Sequence, residues 1–335
     1  MAYDYDVYAL GNAIVDTEIA VDDDFLSANG LSKGTMSLVS EQLQAALAHR
    51  LTGRPRHGAA GGSAANTAVG VARFGGRAAF AGKIGSDEDG ALYRRAMAEA
   101  GVAFEVEEVG GSPTGSSLIL VTPDGERTMQ TNLGASYHLT VADVDPGRIG
   151  RSQVLYVEGY LFGSPSTAAV VRHAMDAAAS AGIRIALSLS DPSMVANCGD
   201  AVRAATRAKV DVLFCNEHEA AVYTGRGRRE ESLAALAKDC ALVFMTVGGD
   251  GSLIADGGEV TKVEGYDVPV VDTTGAGDMY AAGVLYGLTH GLRPAQSGKL
   301  GSFAAARIVA QVGPRLEGPL PGADRILDGA QPLDT

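Results

Sequence analysis

From about residue 150 onward, short apolar segments alternate regularly with segments of helical length. Strands are predicted at 154–157, 183–188, 212–215 and 241–246. Helices are predicted between and after them, at 167–181, 200–208, 232–238, 276–289 and 294–311. Strands that alternate with helices in this way form a mostly parallel sheet with helices on both faces. The pattern therefore predicts an α/β fold for most of the chain.

The first 150 residues depart from this alternation. A strand is predicted at 5–10, but 115–121 and 127–132 flank the turn Pro123-Asp124-Gly125, which indicates a β-hairpin. A hairpin does not fit a parallel layer. We therefore expect one domain over residues 1–335, with a small β-sheet lid formed by about 13–58 and 102–132.

Composition excludes several classes of function. The net charge is −13, which argues against a nucleic acid or an anionic membrane as partner, since both require a basic surface. No apolar run reaches the ~18 residues of a membrane span, and the amino end lacks the positive start of a secretory signal. The three cysteines form no Cys-x-x-Cys motif, so reduced thiols in the cytoplasm are expected.

The segment VVDTTGAGD at 270–278 carries the strongest chemical signal. It predicts the end of a strand, a glycine-rich turn and the start of a helix, whose free N–H groups and dipole can hold an anion. Glycines there let the backbone approach a phosphoryl group. Asp278 would lie beside that anion and could take the proton from an attacking hydroxyl. The alternative for Asp278 is a helix N-cap.

Two common nucleotide motifs are missing. The sequence contains no Gly-x-x-x-x-Gly-Lys-Ser/Thr loop and no Gly-x-Gly-x-x-Gly after the first strand. A dehydrogenase is therefore weakly supported.

Three further motifs occur in a fixed order before the 270–278 segment. They are GGSAAN at 61–66, NEHE at 216–219 and TVGGDG at 246–251. Together, the four motifs resemble the ribokinase-like sugar and nucleoside kinases, the PfkB family, over nearly the whole chain. The resemblance implies a ribokinase-like fold, a mostly parallel central sheet flanked by helices with a small β-sheet lid, and ATP-dependent phosphorylation of an alcohol.

The resemblance also implies roles for individual residues. Asp278 matches the catalytic base, and the backbone of Gly275, Ala276 and Gly277 matches the anion hole. Residues implied near the nucleotide are Asn216 and Glu219 at the triphosphate and magnesium, Thr246, Gly248 and Gly251 at the phosphates and ribose, and Ser302 and Ala305 on a helix that packs on adenine. Glu219 would act on magnesium through water, or it is a solvated helix charge. Asp272 and Thr274 match a monovalent-cation site, for K⁺ in some members, or they stabilise the turn.

Acceptor binding is implied for the first half of the chain. The matching residues are Gly11, Asn12, Asp16, Gly61, Gly62 and Asn66. Arg127 resembles a lid residue that reaches the transferred phosphate, and the alternative is an exposed strand charge. The paired oxygens of Asp16 suit a vicinal diol.

Four stretches favour the adenosine kinase branch of the family. They are GNAIVD at 11–16, TNLGA at 131–135, VEGYLF at 157–162 and LSLSDP at 187–192. We therefore expect transfer to the 5′-hydroxyl of adenosine, with Tyr160 or Phe162 stacking on the purine unless both are core residues. The alternatives are a ribokinase- or fructokinase-like sugar kinase and a non-catalytic nucleotide-binding regulator. Both a monomer and a homodimer fit the sequence.

Overall fold

The computed structural model describes residues 3–55 and 57–333. The ends of the predicted 1–335 domain and residue 56 of the predicted lid segment lie outside the described residues. No helix in the described part of the chain is long and apolar enough to cross a membrane.

The described residues form two sheets. The strands are β1 (Tyr5–Leu10), β2 (Ile14–Ala20), β3 (Met36–Leu38), β4 (His57–Gly61), β5 (Ala78–Ala81), β6 (Gly115–Val121), β7 (Arg127–Asn132), β8 (Ser152–Glu158), β9 (Arg184–Ser188), β10 (Val212–Asn216), β11 (Leu242–Thr246), β12 (Ser252–Asp256) and β13 (Glu259–Val263). The main sheet has the order β13-β12-β11-β10-β9-β8-β1-β5. Its strands are parallel from β5 to β11, and β12 and β13 add antiparallel edge strands.

Helices connect the strands; the first two pack on the small sheet, and most of the others cover the main sheet. They are α1 (Asp23–Ala28), α2 (Glu41–Arg50), α3 (Ser63–Arg73), α4 (Glu88–Glu99), α5 (Pro146–Gly150), α6 (Pro165–Ala181), α7 (Pro192–Lys209), α8 (Glu217–Thr224), α9 (Arg229–Leu236), α10 (Ala276–Thr289), α11 (Pro294–Val309) and α12 (Ala323–Leu327). The predicted α/β fold class, with a mostly parallel central sheet, flanking helices and a second, smaller sheet, is confirmed.

Both faces of the main sheet are buried. On β1, Val7 and Ala9 pack into a cluster that includes α3 and α10, whereas Tyr8 and Leu10 pack into a cluster that includes α6. Successive strand residues point to opposite faces, so a strand covered on both sides is apolar at every position. This is why the strands of the second half were recognisable as short, uninterrupted apolar runs.

The small sheet has five strands in the order β3-β7-β6-β2-β4. The hairpin of β6 and β7 is present as predicted. Residues 102–109, by contrast, add no strand to this sheet. Ala103 and Val109 instead form single bridges to Ala79 and Gly85, beside β5 of the main sheet. The short strand β3 and helix α1 were not predicted individually, because neither is long enough to show a clear period.

Candidate active site

A cavity of about 690 Å³ is lined by residues of both sheets and of the loop that precedes α10. Asn216, at the end of β10, and Glu158, at the end of β8, contribute to it from the main sheet. Ligands in open α/β sheets bind outside the carboxyl ends of the strands. The cavity therefore lies where this fold places small-molecule sites.

Asp278 lies in the first turn of α10 and lines this cavity. Its Oδ1 accepts a hydrogen bond from Ser63 Oγ at 2.6 Å, and its Oδ2 accepts one from Asn66 Nδ2 at 3.0 Å. Burial raises the pKa of the Asp278 carboxyl, while the Ser63 and Asn66 hydrogen bonds oppose that rise. Because the N-cap position belongs to Gly275 and no side chain caps the helix, the N-cap alternative for Asp278 is not what the structure shows.

The turn before α10 depends on glycine and leads directly into the helix. Gly275 has φ +79°, and a Cβ there would lie 2.6 Å from the carbonyl oxygen of Pro314, so only glycine fits. The amide of Ala276 donates to Thr273 O at 3.2 Å. The amides of the following residues in the first turn have no partner within the helix. An anion would therefore meet chiefly the Gly277 and Asp278 amides.

A buried carboxylate organises the predicted acceptor loop. Glu158 Oε1 accepts from both the backbone N and Nδ2 of Asn12, at 2.8 and 2.7 Å. Its Oε2 accepts from the backbone N of Ala64 at 2.9 Å. These bonds join the end of β1 to the start of α3. A Cβ at Gly11 would lie 2.3 Å from Glu158 Oε2, so this glycine makes room for the carboxylate.

The carboxylate of Asp16 lies against Gly61. A Cβ at Gly61 would lie 2.1 Å from Asp16 Oδ2, so the glycine is required by this close approach. Burial raises the pKa of Asp16 to about 7, although the Arg315 guanidinium opposes this. Gly62, Asn66 and Asp16 all line the cavity.

Three carboxyl groups around the cavity have pKa values raised to about 7. Burial is the main cause for Asp16, Glu158 and Glu219 alike. Several carboxyl groups with pKa values near 7 in one cavity are typical of functional sites, although structural hydrogen-bond networks shift pKa values too.

Asn216 and Glu219 form a reciprocal capping box at the start of α8. Glu219 N donates to Asn216 Oδ1 at 2.8 Å, and the backbone N and Nδ2 of Asn216 donate to Glu219 at 3.0 and 2.7 Å. Glu219 is only 5% exposed, so it is not a solvated helix charge. Both residues also line the cavity, where each oxygen of Glu219 keeps lone pairs for a further partner.

Arg127 connects the small sheet to the loop before α10. Its guanidinium lies 2.7 Å from Glu18 of β2 and 2.6 Å from Asp272 Oδ2. Asp272 Oδ1 accepts from Thr274 N, and its Oδ2 accepts from Gly313 N, both at 2.7 Å. Arg127 is therefore not an exposed strand charge, and Asp272 stabilises its turn. The monovalent cation stays a prediction, and Arg127 supplies positive charge beside Asp272.

The structure brings fourteen of the predicted site residues together around the cavity: Asn12, Asp16, Gly62, Asn66, Arg127, Tyr160, Asn216, Glu219, Asp272, Thr274, Gly275, Ala276, Gly277 and Asp278. Eight others do not line it: Gly11, Gly61, Phe162, Thr246, Gly248, Gly251, Ser302 and Ala305. Gly11 and Gly61 pack directly behind it. Thr246 pairs with Asn216 in parallel register, so the 246–251 loop begins at the same sheet edge.

The two candidate aromatic residues separate in the structure. Tyr160 lines the cavity and donates to the carbonyl of Ser190 at 3.2 Å. Phe162 is 5% exposed and belongs to a hydrophobic core cluster. The expectation that Phe162 stacks on an acceptor is therefore not supported, because its ring packs among core side chains.

Sequence reasoning missed Ser63, Glu158 and Arg315. Ser63 and Glu158 lie within motifs that drew attention for other residues. Arg315 lies in a tail that shows only an irregular, Pro- and Gly-rich composition. No local pattern signals its role, because its partners are more than 240 residues away in sequence.

The chain is similar to known kinases over most of its length. The model of the pfkB family carbohydrate kinases matches residues 39–320. The adenosine kinase of Sinorhizobium meliloti has a solved structure that is 39% identical in sequence. The match covers 97% of this chain and 98% of that one, with a TM-score of 0.90.

Two further relatives carry sugar-kinase names. A probable sugar kinase from Rhizobium etli is 36% identical over 97% of this chain and 98% of that chain, with a TM-score of 0.91. A fructokinase of Escherichia coli is 31% identical over 240 residues, which cover 68% of this chain and 76% of the fructokinase.

Proposed function

The chain belongs to the pfkB family of carbohydrate kinases and is a phosphotransferase with an alcohol acceptor, and we propose that its acceptor is the 5′-hydroxyl of adenosine, which it converts to AMP. Such a reaction would serve purine salvage. The three cysteines are all free, which fits work in a reducing cytoplasm.

The observation that carries this proposal is the division of the cavity into a polar and an apolar part. Asn12, Asp16 and Asn66 offer hydrogen-bonding groups near Asp278. The small sheet and its flanks supply the apolar lining residues Ile14, Met36, Leu38, Met129 and Leu133, and Met194, Val270 and Val271 add to them from elsewhere. A ribose diol suits the polar part, and a flat purine suits the apolar part. A free sugar, which carries hydroxyls all round, leaves the apolar side without a partner.

The proposed reaction is an in-line phosphoryl transfer. Asp278 takes the proton of the 5′-hydroxyl as the oxygen bonds to the γ-phosphorus of ATP, and the bond from that phosphorus to the leaving ADP oxygen breaks. The amides at the start of α10 stabilise the charge that develops on the γ-phosphoryl oxygens. Ser63 and Asn66 hold the Asp278 carboxylate in place by donating to both of its oxygens.

Kinases of this family use ATP, usually with Mg²⁺. No group of three or more metal-ligating side chains occurs in the described residues. A site with so few protein ligands suits an ion that is bound mainly by ATP phosphates and water. Glu219 would hold such an ion through water, and the ion would neutralise phosphate charge when bound.

The small sheet is proposed to act as a lid over the acceptor. It supplies Arg127 and apolar lining residues to the cavity. Closure over the acceptor would exclude water and suppress ATP hydrolysis.

An acceptor panel tests the proposed function. Adenosine, inosine, cytidine, ribose and fructose are each incubated with ATP, Mg²⁺ and the purified chain, and ADP formation is followed while products are identified by phosphorus NMR. We expect kcat/KM to be highest for adenosine, with AMP as product. A higher kcat/KM for ribose or fructose would reject adenosine, and no transfer to any acceptor would favour a non-catalytic regulator.

A sugar kinase remains the second candidate. It is favoured by the similarity to the Rhizobium etli and Escherichia coli proteins. The same panel separates the two candidates, because only a nucleoside acceptor requires the apolar lining.

A further inference from the structure

Arg315 reaches the acceptor loop from the carboxyl-terminal segment. Its Nε donates to Asn66 Oδ1 at 2.9 Å, and its NH2 group donates to the carbonyl of Gly61 at 3.2 Å. Its guanidinium lies over the ring of Tyr93, 5.6 Å from the ring centroid. The Tyr93 hydroxyl donates to the same Gly61 carbonyl at 2.9 Å. The Asn66 side chain, the Gly61 carbonyl and the Tyr93 ring therefore hold the Arg315 guanidinium directly behind the cavity.

The residues around Arg315 also contact the anion-binding turn. Gly313 N donates to Asp272 Oδ2 at 2.7 Å, and Pro314 packs so closely on Gly275 that a Cβ there is excluded. Segment 313–315 thus contacts both the phosphate side and the acceptor side of the site.

We propose that Arg315 is a positioning residue for phosphoryl transfer, which holds the Asn66 amide so that its NH2 group faces the Asp278 carboxylate. The inference rests on the proposed role of Asp278 as base. A side-chain amide has a donor end and an acceptor end, and the two occupy nearly the same space. Arg315 Nε can only donate a hydrogen bond. It is therefore compatible with just one orientation of the Asn66 amide, in which Oδ1 faces Arg315 and Nδ2 faces Asp278.

The opposite orientation is unfavourable at both ends. It would place Asn66 Oδ1 against an Asp278 oxygen and Asn66 Nδ2 against the Arg315 donor. Buried polar groups that face like partners are unfavourable because each loses its hydrogen bond. Without Arg315 only one of these penalties remains, so the amide would be held less firmly.

The positive charge of Arg315 also favours the deprotonated form of Asp278, which is the form that can act as base. Arg315 lowers the pKa of both Asp278 and Asp16, against the larger effect of burial. The other ionisable groups that interact with Asp278 are Asp16, Glu158, Glu219, Tyr156 and Tyr160. All of these are acidic. Arg315 is the cation that interacts with Asp278 among the described residues.

The test compares Arg315→Met with Arg315→Lys and with a control, Arg73→Met. Arg73 donates to the carbonyl of Leu316, next to Arg315, but contacts neither Asn66 nor Asp278. For Arg315→Met we expect kcat to fall roughly tenfold or more, and the acid limb of kcat/KM to move up by about one pH unit. Arg315→Lys keeps the positive charge but lacks the planar guanidinium that donates to two partners. We therefore expect kcat to fall while the acid limb of kcat/KM does not move. Arg73→Met should move neither.

Two measurements keep the inference separate from protein stability and from the choice of acceptor. In a double-mutant cycle, Arg315→Lys added to Asn66→Ala should have almost no further effect on kcat, because Arg315 acts through Asn66. Carbon-13 NMR of labelled aspartate, assigned with Asp278→Asn, should show a higher carboxyl pKa of Asp278 in Arg315→Met without any need for turnover.

Additive effects on kcat, an unmoved Asp278 pKa, or an equal pKa shift in Arg73→Met would each overturn the inference. If the panel identifies another acceptor, the same variants are assayed with it. If Arg315→Met does not fold, the Arg315→Lys arm decides.

Discussion

The guanidinium of Arg127 and the carboxylate of Asp272 lie 2.6 Å apart, although 145 residues of chain separate them. Arg127 belongs to β7 of the small sheet, and Asp272 precedes α10. Arg127 also contacts Glu18, and the side chains of Arg127, Glu18 and Asp272 are only 13%, 12% and 1% exposed. This contact joins the small sheet to the loop before α10.

Removing Arg127 should destabilise the protein. Arg127→Met leaves Glu18 and Asp272 largely buried without their cation, which costs about 3 kcal/mol or more. Urea unfolding measures the loss. Arg151→Met removes an exposed ion pair with Asp4 and serves as the control, with an expected loss of about 0–1 kcal/mol. Equal losses in both variants would contradict the structural role. A lower kcat with unchanged stability would instead indicate that Arg127 leaves Asp272 to contact the transferred phosphate.

Asp278→Asn should abolish most turnover and leave the fold intact. The amide cannot accept the acceptor's proton, so kcat should fall by roughly 10²–10⁴-fold. ATP binding, measured by calorimetry, and the thermal unfolding temperature should change little. Asp324→Asn, in the first turn of α12, is the matched control and should leave kcat unchanged. Near-normal turnover in Asp278→Asn would remove this residue from its proposed role.

Met129→Ser should discriminate between a nucleoside and a sugar acceptor. Met129 lines the cavity from β7, and its loss reduces the apolar surface available to a base. An apolar side chain contributes about 1.5–3 kcal/mol when fully buried, so KM for adenosine should rise about tenfold. KM for ribose or fructose should not change. Val260→Ser, at an exposed position of β13, should affect neither acceptor. If KM rises equally for adenosine and ribose, the apolar lining does not serve a base.

Glu158→Gln should change how stability depends on pH. Burial raises the pKa of Glu158 from 4.5 to about 7 in the folded protein, so folding favours its protonated form. Its contribution to stability is fully present below about pH 4.5 and is lost as pH rises through about 7. At about 1.4 kcal/mol per pKa unit, the wild type should lose up to about 3 kcal/mol relative to Glu158→Gln between pH 5 and pH 8.

Urea unfolding at several pH values measures this difference. The Gln variant should also show a pH-independent loss of about 1–3 kcal/mol, because its NH2 group cannot accept from the Ala64 amide. Glu99→Gln, at an exposed position at the end of α4, is the control and should follow the wild type. Parallel pH curves for Glu158→Gln and the wild type would mean that Glu158 does not titrate on folding.

The sequence alone determined the elements with a clear local signal. The hairpin of β6 and β7 was predicted at its observed bounds. The turn at 270–278 and Asp278 were predicted from glycines directly followed by a helix start, the arrangement of an anion site. The strand predicted to end at this turn is absent, because β13 ends at Val263 and the residues between it and the turn form no strand.

Only the tertiary structure decided which groups act on one another across the cavity. Arg127 meets Asp272, Glu158 meets Asn12, and Arg315 meets Asn66, at separations of 145, 146 and 249 residues. Hydrogen-bond partners and pKa values depend on distance and burial, and a local pattern of residue types records neither. The sequence therefore predicted the chemistry at the start of α10, whereas the fold decided which side chains surround it.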